Sequence, residues 1–194
     1  MLDRTFKANV ARISAMWSLF AFSTFLLHFQ LKYLYGNLFD NNNFCAVSQI
    51  AAIVFGGLIY SYMGGLKPTY YLAFLISSFG GLAILYRENN EEESQFLIMH
   101  NQFDFYRKMP SLIFVAKFGI AMGLIATELA AHTDDRLFPI DRRYNALALT
   151  NLIAFSCVSL APMINEIDEP TPIIIFLLLM LILLAMAATF MVPP

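Results

Sequence analysis

From residue 171 to residue 191 the chain reads TPIIIFLLLMLILLAMAATFM, without one charged side chain. A helix must offer about 20 mostly apolar residues to cross roughly 30 Å of hydrocarbon, and this stretch does so. The run is continuous and lacks a period of two, which excludes a transmembrane β-strand. Working back toward the N-terminus, five further stretches qualify or nearly qualify: 11–35, 45–63, 69–86, 110–128 and 145–164. Loop punctuation separates them at Gly36–Asn43, Gly64–Thr69, Arg87–Lys108, Leu129–Tyr144 and Asn165–Thr171. The expected fold is all-α, a polytopic membrane protein with a single six-helix transmembrane domain over residues 1–194.

The composition agrees. Of 194 residues (22.0 kDa), 59% are apolar and 13% charged, with 19 Phe and 10 Met and a mean hydropathy of +0.63. A soluble domain carries roughly 25% charged residues to clothe its surface. A water-soluble globule, a nucleic-acid binder and a disordered regulator are therefore poor fits. The net charge of −2 and pI near 5.9 offer no basic partner-seeking surface. Cys45 and Cys157 lie in apolar stretches without metal or redox spacing and read as small core residues. Met1–Val10 lacks the short apolar region and cleavage site of a signal peptide, so the first span reads as retained.

Lys and Arg distribution sets orientation. With a cytoplasmic N-terminus, that side holds Arg4, Lys7, Arg12, Lys67, Arg136, Arg142 and Arg143. The other holds Lys32, Arg87, Arg107 and Lys108, together with the acidic run Glu91–Glu93 and the loop acids Glu166, Asp168 and Glu169. Both termini are expected to be cytoplasmic. Small residues at Gly119 and Gly123 (continued by Thr127), Ser77 and Gly81, and Ala52 and Gly56 mark close helix contacts.

Ionisable groups inside a span cost about 2.5–3.5 kcal/mol on insertion scales, so each invites a functional hypothesis. Lys117 lies roughly 10 Å into the fourth span. It reads either as a side chain that snorkels to the headgroups or as a cation facing a solute cavity. Trp17, Phe20, Thr24 and His28 share one face of the first span. That face suits an amphipathic solute, with cation–π contacts available, or it is a packing stripe. Ser48, Gln49 and Asn151 are the other buried hydrogen-bonding candidates, with interhelical glue as the plainer role. No HExxH, GxSxG or P-loop is present, and His100 and His132 fall on opposite sides of the membrane. No enzyme, cofactor or metal centre is expected. An integral-membrane enzyme would need a partner to supply its acid–base or metal cluster.

Several short motifs occur in the order of one family. Leu34-Tyr35-Gly36-Asn37-Leu38-Phe39 with Asn41, at the end of the span that holds Trp17, resembles a helix followed by a "G-N-I-F-x-N" turn. Lys117-Phe118-Gly119-Ile120 resembles "G-K-F-G-I", with Ala116 at the first Gly. Ala126-Thr127-Glu128-Leu129 resembles "T-x-E-L", Phe138-Pro139-Ile140-Asp141-Arg142-Arg143 "F-P-T-x-x-R", Ala146-Leu147-Ala148 "A-L-G", and Ala161-Pro162 a closing "A-P". Together they resemble the C-terminal six-helix half of a major facilitator superfamily transporter, most of all its organic cation/anion branch.

The resemblance implies that the six spans correspond to helices seven to twelve. It further implies transport of small organic solutes by alternating access against a second six-helix half, supplied by a homodimer, a partner subunit or a missing N-terminal half. Trp17, Phe20, Thr24, His28, Gln49 and Lys117 would line the solute path, and Lys67, Glu128, Arg142 and Arg143 would belong to a cytoplasmic gate. The plasma membrane is the family's commonest address.

Three departures bear on that reading. Ala130–Leu137 splits the "E-L-F-P-T" pattern, unless Arg136 stands in place of the glutamate. The loop Gly56–Pro68 keeps Lys67 but lacks the Asp and Arg of "G-x-L-x-D-R-x-G-R-K". Gln49 stands where many relatives carry glutamate. A structural or regulatory membrane subunit that has kept the fold and lost transport is the alternative.

Overall fold

The structure, a computed structural model, describes residues 2–34, 37–89, 102–133, 138, 140–168 and 170–189. The acidic run Glu91–Glu93, His100, Arg136 and Glu169 lie outside the described residues, as do Tyr35, Gly36 and Pro139 of the family-like motifs and the side chains of Arg4, Arg107 and Lys108. The helices are α1 (Leu2–Gln30), α2 (Leu38–Met63), α3 (Leu66–Asn89), α4 (Gln102–Thr133), α5 (Ile140–Val158), α6 (Ala161–Asn165) and α7 (Thr171–Thr189). Among the described residues there is no strand. Six segments are long and apolar enough to span a bilayer: Phe6–Gln30, Leu38–Met63, Leu66–Glu88, Met109–Thr133, Ile140–Asn165 and Thr171–Ala188. The protein is an all-α polytopic membrane protein.

Helix ends differ from the expected spans for local reasons. The region 36–43 is not all loop, because Asn37 caps α2: its side-chain oxygen accepts the Phe39 N–H at 3.0 Å, and the helix runs on through Asn41–Asn43. Gly64 ends α2 at φ 74°, a left-handed C-cap that glycine adopts without a Cβ penalty. Pro162 has no N–H to offer the Val158 carbonyl, so the fifth span breaks after Val158 and resumes as α6 with the proline in its first turn. On the N-terminal face, α4 persists to Thr133 and α5 begins at Ile140, shortening the expected 129–144 loop from both sides.

Helix α4 is the hub, packed on α3, α2 and α1, while α1 packs also on α5, α6 and α7, and α3 on α7. Glycines set these approaches. A Cβ on Gly119 would stand 2.5 Å from the Ser77 nitrogen and 2.6 Å from the Ala73 carbonyl oxygen, and one on Gly80 would stand 2.6 Å from the Ala116 Cα. The Phe20 ring of α1 occupies the space above Gly123, and Phe176 of α7 that above Gly81. Gly56 of α2 meets Met122 and Ile125 of α4 at ordinary separations of 3.5 and 3.7 Å. The small-residue pairs read from the sequence therefore all lie at helix interfaces, and the α3–α4 seam brings backbones closest.

Most of the larger contacts keep a counterpart when α1, α2 and α3 are exchanged for α4, α5 and α7, though the lesser α2–α3 and α4–α5 contacts do not. Contact α1–α5 answers α4–α2, α1–α7 answers α4–α3, and α1–α4 and α3–α7 answer themselves. Because each unit crosses three times, α4 runs opposite to α1, and the two units form an inverted pair. The matching helices α2 and α5 are also the least covered. Only 22% and 17% of their membrane windows are buried, against 50% for α1 and 56% for α4. Ile50, Ile53, Val54 and Leu58 of α2, and Leu152 and Phe155 of α5, stand exposed, a surface that suits lipid or another apolar partner rather than water.

Candidate functional site

The four residues expected on one face of α1 do lie along one stripe, but the bundle divides them among different neighbours. Phe20 is fully buried. It stacks on Phe74 at 5.4 Å between centroids and tilts against Tyr70 at 5.6 Å, so it belongs to the core and not to a solute-lined wall. The Tyr70 hydroxyl pairs with the Thr127 hydroxyl at 2.6 Å. Thr127 in turn donates to the Gly123 carbonyl at 2.8 Å, which leaves Tyr70 as the donor in the pair.

Thr24, His28 and Lys117 meet in the half of the bundle nearer the opposite face. Lys117 has only 1% of its surface exposed, and its Nζ donates to the Thr24 carbonyl at 2.6 Å. It neither snorkels to the headgroups nor lines an open surface; it ties α4 to α1. The Thr24 hydroxyl has no hydrogen-bond partner among the described residues. His28 Nδ1 lies 3.7 Å from the Cys45 Sγ of α2, and Lys117 is within electrostatic range of both. Cys45, read from sequence as a core residue, is buried as expected but also touches this polar group. Ser48 is buried and donates to the Cys45 carbonyl at 2.6 Å, a bond within α2 and so not interhelical glue. Gln49 is half-buried on the same helix.

Above this group an open cleft of about 390 Å³ is lined by His28, Phe29, Leu31, Lys32, Leu38, Phe39 and Asn42. At its edge Lys32 donates to Glu166 at 3.1 Å, and the Tyr33 hydroxyl donates to the same oxygen at 3.3 Å, joining the α1–α2 and α6–α7 connections. The Tyr33 side chain first and Glu166 second hold the Lys32 ammonium above its ordinary value, and the Lys32 hydrogen bond holds the Glu166 carboxyl below its own. Glu166 thus contributes stability above 4.5 that is lost as pH falls through its depressed value. Lys32 contributes stability below 10.5 that is lost as pH rises through its raised value. The melting difference between the wild type and Glu166→Gln is expected to stay small, since both side chains are exposed, and flat from pH 5 to pH 9. It should close on the acid side. A difference that grows toward acid pH would mean that another group carries the effect.

The opposite end of α1 borders a smaller cleft of about 70 Å³, between α1, α4 and α5. Ile13 and Trp17 come from α1, Thr127, Glu128, Ala131 and His132 from α4, and Leu147, Thr150 and Asn151 from α5, each set at helical spacing. A 2.8 Å hydrogen bond between the Ser14 and Thr150 hydroxyls pins α1 to α5 beside it. Asn151, expected to be buried, is exposed on α5 and faces this cleft; its neighbour Thr150 is the buried polar residue.

The four gate candidates lie on this same N-terminal face, with individual partners. Lys67 donates to the Ala188 carbonyl at 3.4 Å, where a cation complements the C-terminal end of α7. Arg143 donates to the carbonyls of His132 at 2.7 Å and Phe138 at 3.3 Å, closing the end of α4. The Arg142 guanidinium lies 5.8 Å from the Phe6 ring, which packs edge-on against Phe138. Glu128 is exposed and forms no ion pair among the described residues. The expected pairing of Glu128 with Arg142 or Arg143 is therefore not seen here.

What sequence reading missed is mainly the pairing across the bundle. Ser14 and Thr150 stand 136 residues apart, Tyr70 and Thr127 stand 57 apart, and neither pair leaves a local signature. No model of a known protein family matches the chain, and no curated protein matches it. Its class therefore rests on the fold: a multi-pass, all-helical membrane protein whose spans pack as two inverted three-helix units.

Proposed function

We propose that this chain is a transmembrane transporter, or one half of one, for small organic solutes. It works by alternating access with a second six-helix half of the major facilitator type and involves no covalent chemistry. The observation that carries the reading is the inverted three-plus-three packing, in which the poorly covered α2 and α5 occupy equivalent places. The ordered motifs from Asn37 to Pro162 support the same assignment. A second half would cover the exposed apolar faces of α2 and α5 and complete the solute path. In this reading both termini are cytoplasmic, the membrane is the plasma membrane, and Glu128, Arg142, Arg143 and Lys67 surround the cytoplasmic mouth.

The test is counterflow in liposomes holding the full chain, with tetraethylammonium and benzoate as probe cation and anion. Saturable uptake that is accelerated by unlabelled solute on the far side is expected for one of them. Absence of counterflow, with co-purification of the chain in a larger complex at fixed stoichiometry, would favour a structural membrane subunit. The absence of an ion pair to Glu128 among the described residues and the engagement of Lys67 with a helix end are the observations on that side.

A further inference from the structure

We infer that the open cleft at the α1–α2 connection holds the head group of a zwitterionic phospholipid from the surrounding bilayer, with its phosphate on Lys32. The inference rests on the membrane placement of the spans and not on the transporter reading. Position is the first argument. The spans Phe6–Gln30, Leu38–Met63 and Ile140–Asn165 end or begin at this face, and Lys32 and Glu166 follow closely on two of those ends. Their 3.1 Å ion pair therefore lies at head-group level, where a lysine meets lipid phosphates. Shape is the second argument. The cleft volume of about 390 Å³ falls within the ~300–1,000 Å³ of small-molecule sites, room for a head group but not for acyl chains. Its α2 wall is apolar and open toward the bilayer. Leu38 and Phe39 are 53% and 78% exposed, and exposed Val47 continues the face of Phe39 roughly two turns deeper, a path for an acyl chain.

Charge selects the head group. Lys32 donates to Glu166 Oε1, and the Tyr33 hydroxyl donates to the same oxygen. A lysine ammonium has three donors, so Lys32 keeps others for a phosphate, while Glu166 Oε2 keeps lone pairs for the positive end of a zwitterion. Both side chains are open to such a ligand, at 50% and 69% exposure. The Asn42 amide in the cleft lining offers a further donor, and the positive end of the α2 dipole begins at Leu38. His28 also faces the cleft. A lipid of net negative charge fits less well, because Glu166 already neutralises Lys32 and Asp40 in the first turn of α2 is a second acid at this face. A free phosphate ion would gain nothing from Leu38 and Phe39, whereas a phospholipid covers both.

The full chain is purified in detergent, stripped of lipid and offered an equimolar mixture of phosphatidylethanolamine, phosphatidylcholine and phosphatidylglycerol with matched acyl chains. Native mass spectrometry then reads which lipid stays bound. The wild type is expected to keep a zwitterionic lipid at collision energies that remove phosphatidylglycerol. Lys32→Gln should lower that adduct at least tenfold at unchanged helicity and elution volume, and Lys32→Arg should restore most of it. Lys7→Gln, which removes an exposed cation from the opposite face, should leave it intact. Glu166→Gln should still hold a lipid but move the preference toward phosphatidylglycerol, since the repelling carboxylate is gone. A wild type that prefers phosphatidylglycerol, an undiminished adduct in Lys32→Gln, an equal loss in Lys7→Gln, or a Glu166→Gln protein with wild-type preference overturns the inference. Its fate separates from that of the transporter reading. Counterflow without a retained lipid removes this site alone, whereas a Lys32-dependent adduct without counterflow leaves the site standing and removes transport.

Discussion

Gly119→Leu is expected to abolish the folded bundle, while Gly56→Leu leaves a folded, less stable one. At Gly119 even the first added carbon would fall 2.5 Å from the Ser77 nitrogen and 2.6 Å from the Ala73 carbonyl oxygen, which are backbone atoms of a packed helix. They cannot yield without parting α3 from α4, and that seam also holds the 3.1 Å bond from the Ser77 hydroxyl to the Ala116 carbonyl. Overpacking a core commonly costs about 1–3 kcal/mol; a clash with backbone at a hub helix should exceed that range. At Gly56 a first carbon would meet the Met122 side chain at 3.5 Å and the Met122 Cα at 3.6 Å, both ordinary contact distances, and the flexible methionine can change rotamer to admit the rest. Size-exclusion chromatography of the two detergent-solubilised variants decides the matter. A monodisperse Gly119→Leu protein would show that the α3–α4 seam is looser than its geometry implies.

Lys117 provides the second large effect. Its side chain is buried within the helix bundle and donates to one carbonyl oxygen, that of Thr24, at 2.6 Å. Burying a charge is expensive, and an apolar side chain of similar volume is often neutral or stabilising in its place. Lys117→Met is therefore expected to melt at or above the wild-type temperature. Lys117→Ala leaves the volume empty and should fall below Lys117→Met by about 2–5 kcal/mol, the usual cost of truncating a long core side chain. Retaining a costly cation makes sense if function needs it. In an assembly that transports, Lys117→Met should lower solute uptake at least tenfold at undiminished expression. Full uptake by Lys117→Met would remove Lys117 from the solute path; a sharp loss of melting temperature would instead make the bond to Thr24 structural.

Those two predictions also mark where the sequence was legible. Six spans follow from apolar length alone, because a bilayer leaves no other arrangement for runs such as 171–191. Gly119, Gly123, Ser77 and Gly81 were recognisable as contact residues because close approach in lipid selects small side chains at fixed helical spacing. The break at Pro162 is equally local, set by one missing N–H.

What the tertiary structure alone decided is how each helix is rotated and which neighbour each residue meets. Periodicity places Trp17, Phe20, Thr24 and His28 on one stripe. It cannot tell that Phe20 stacks on α3, Thr24 accepts from α4, His28 reaches Cys45 of α2 and Trp17 opens onto a cleft shared with α5. Nor does a hydropathy window tell whether Lys117 turns outward to the headgroups or inward to a carbonyl 93 residues away. The spans were determined by solvent, a property each segment carries by itself. The site was determined by packing between segments distant in the chain, where rotation and tilt are set by partners and not by the residues' own preferences.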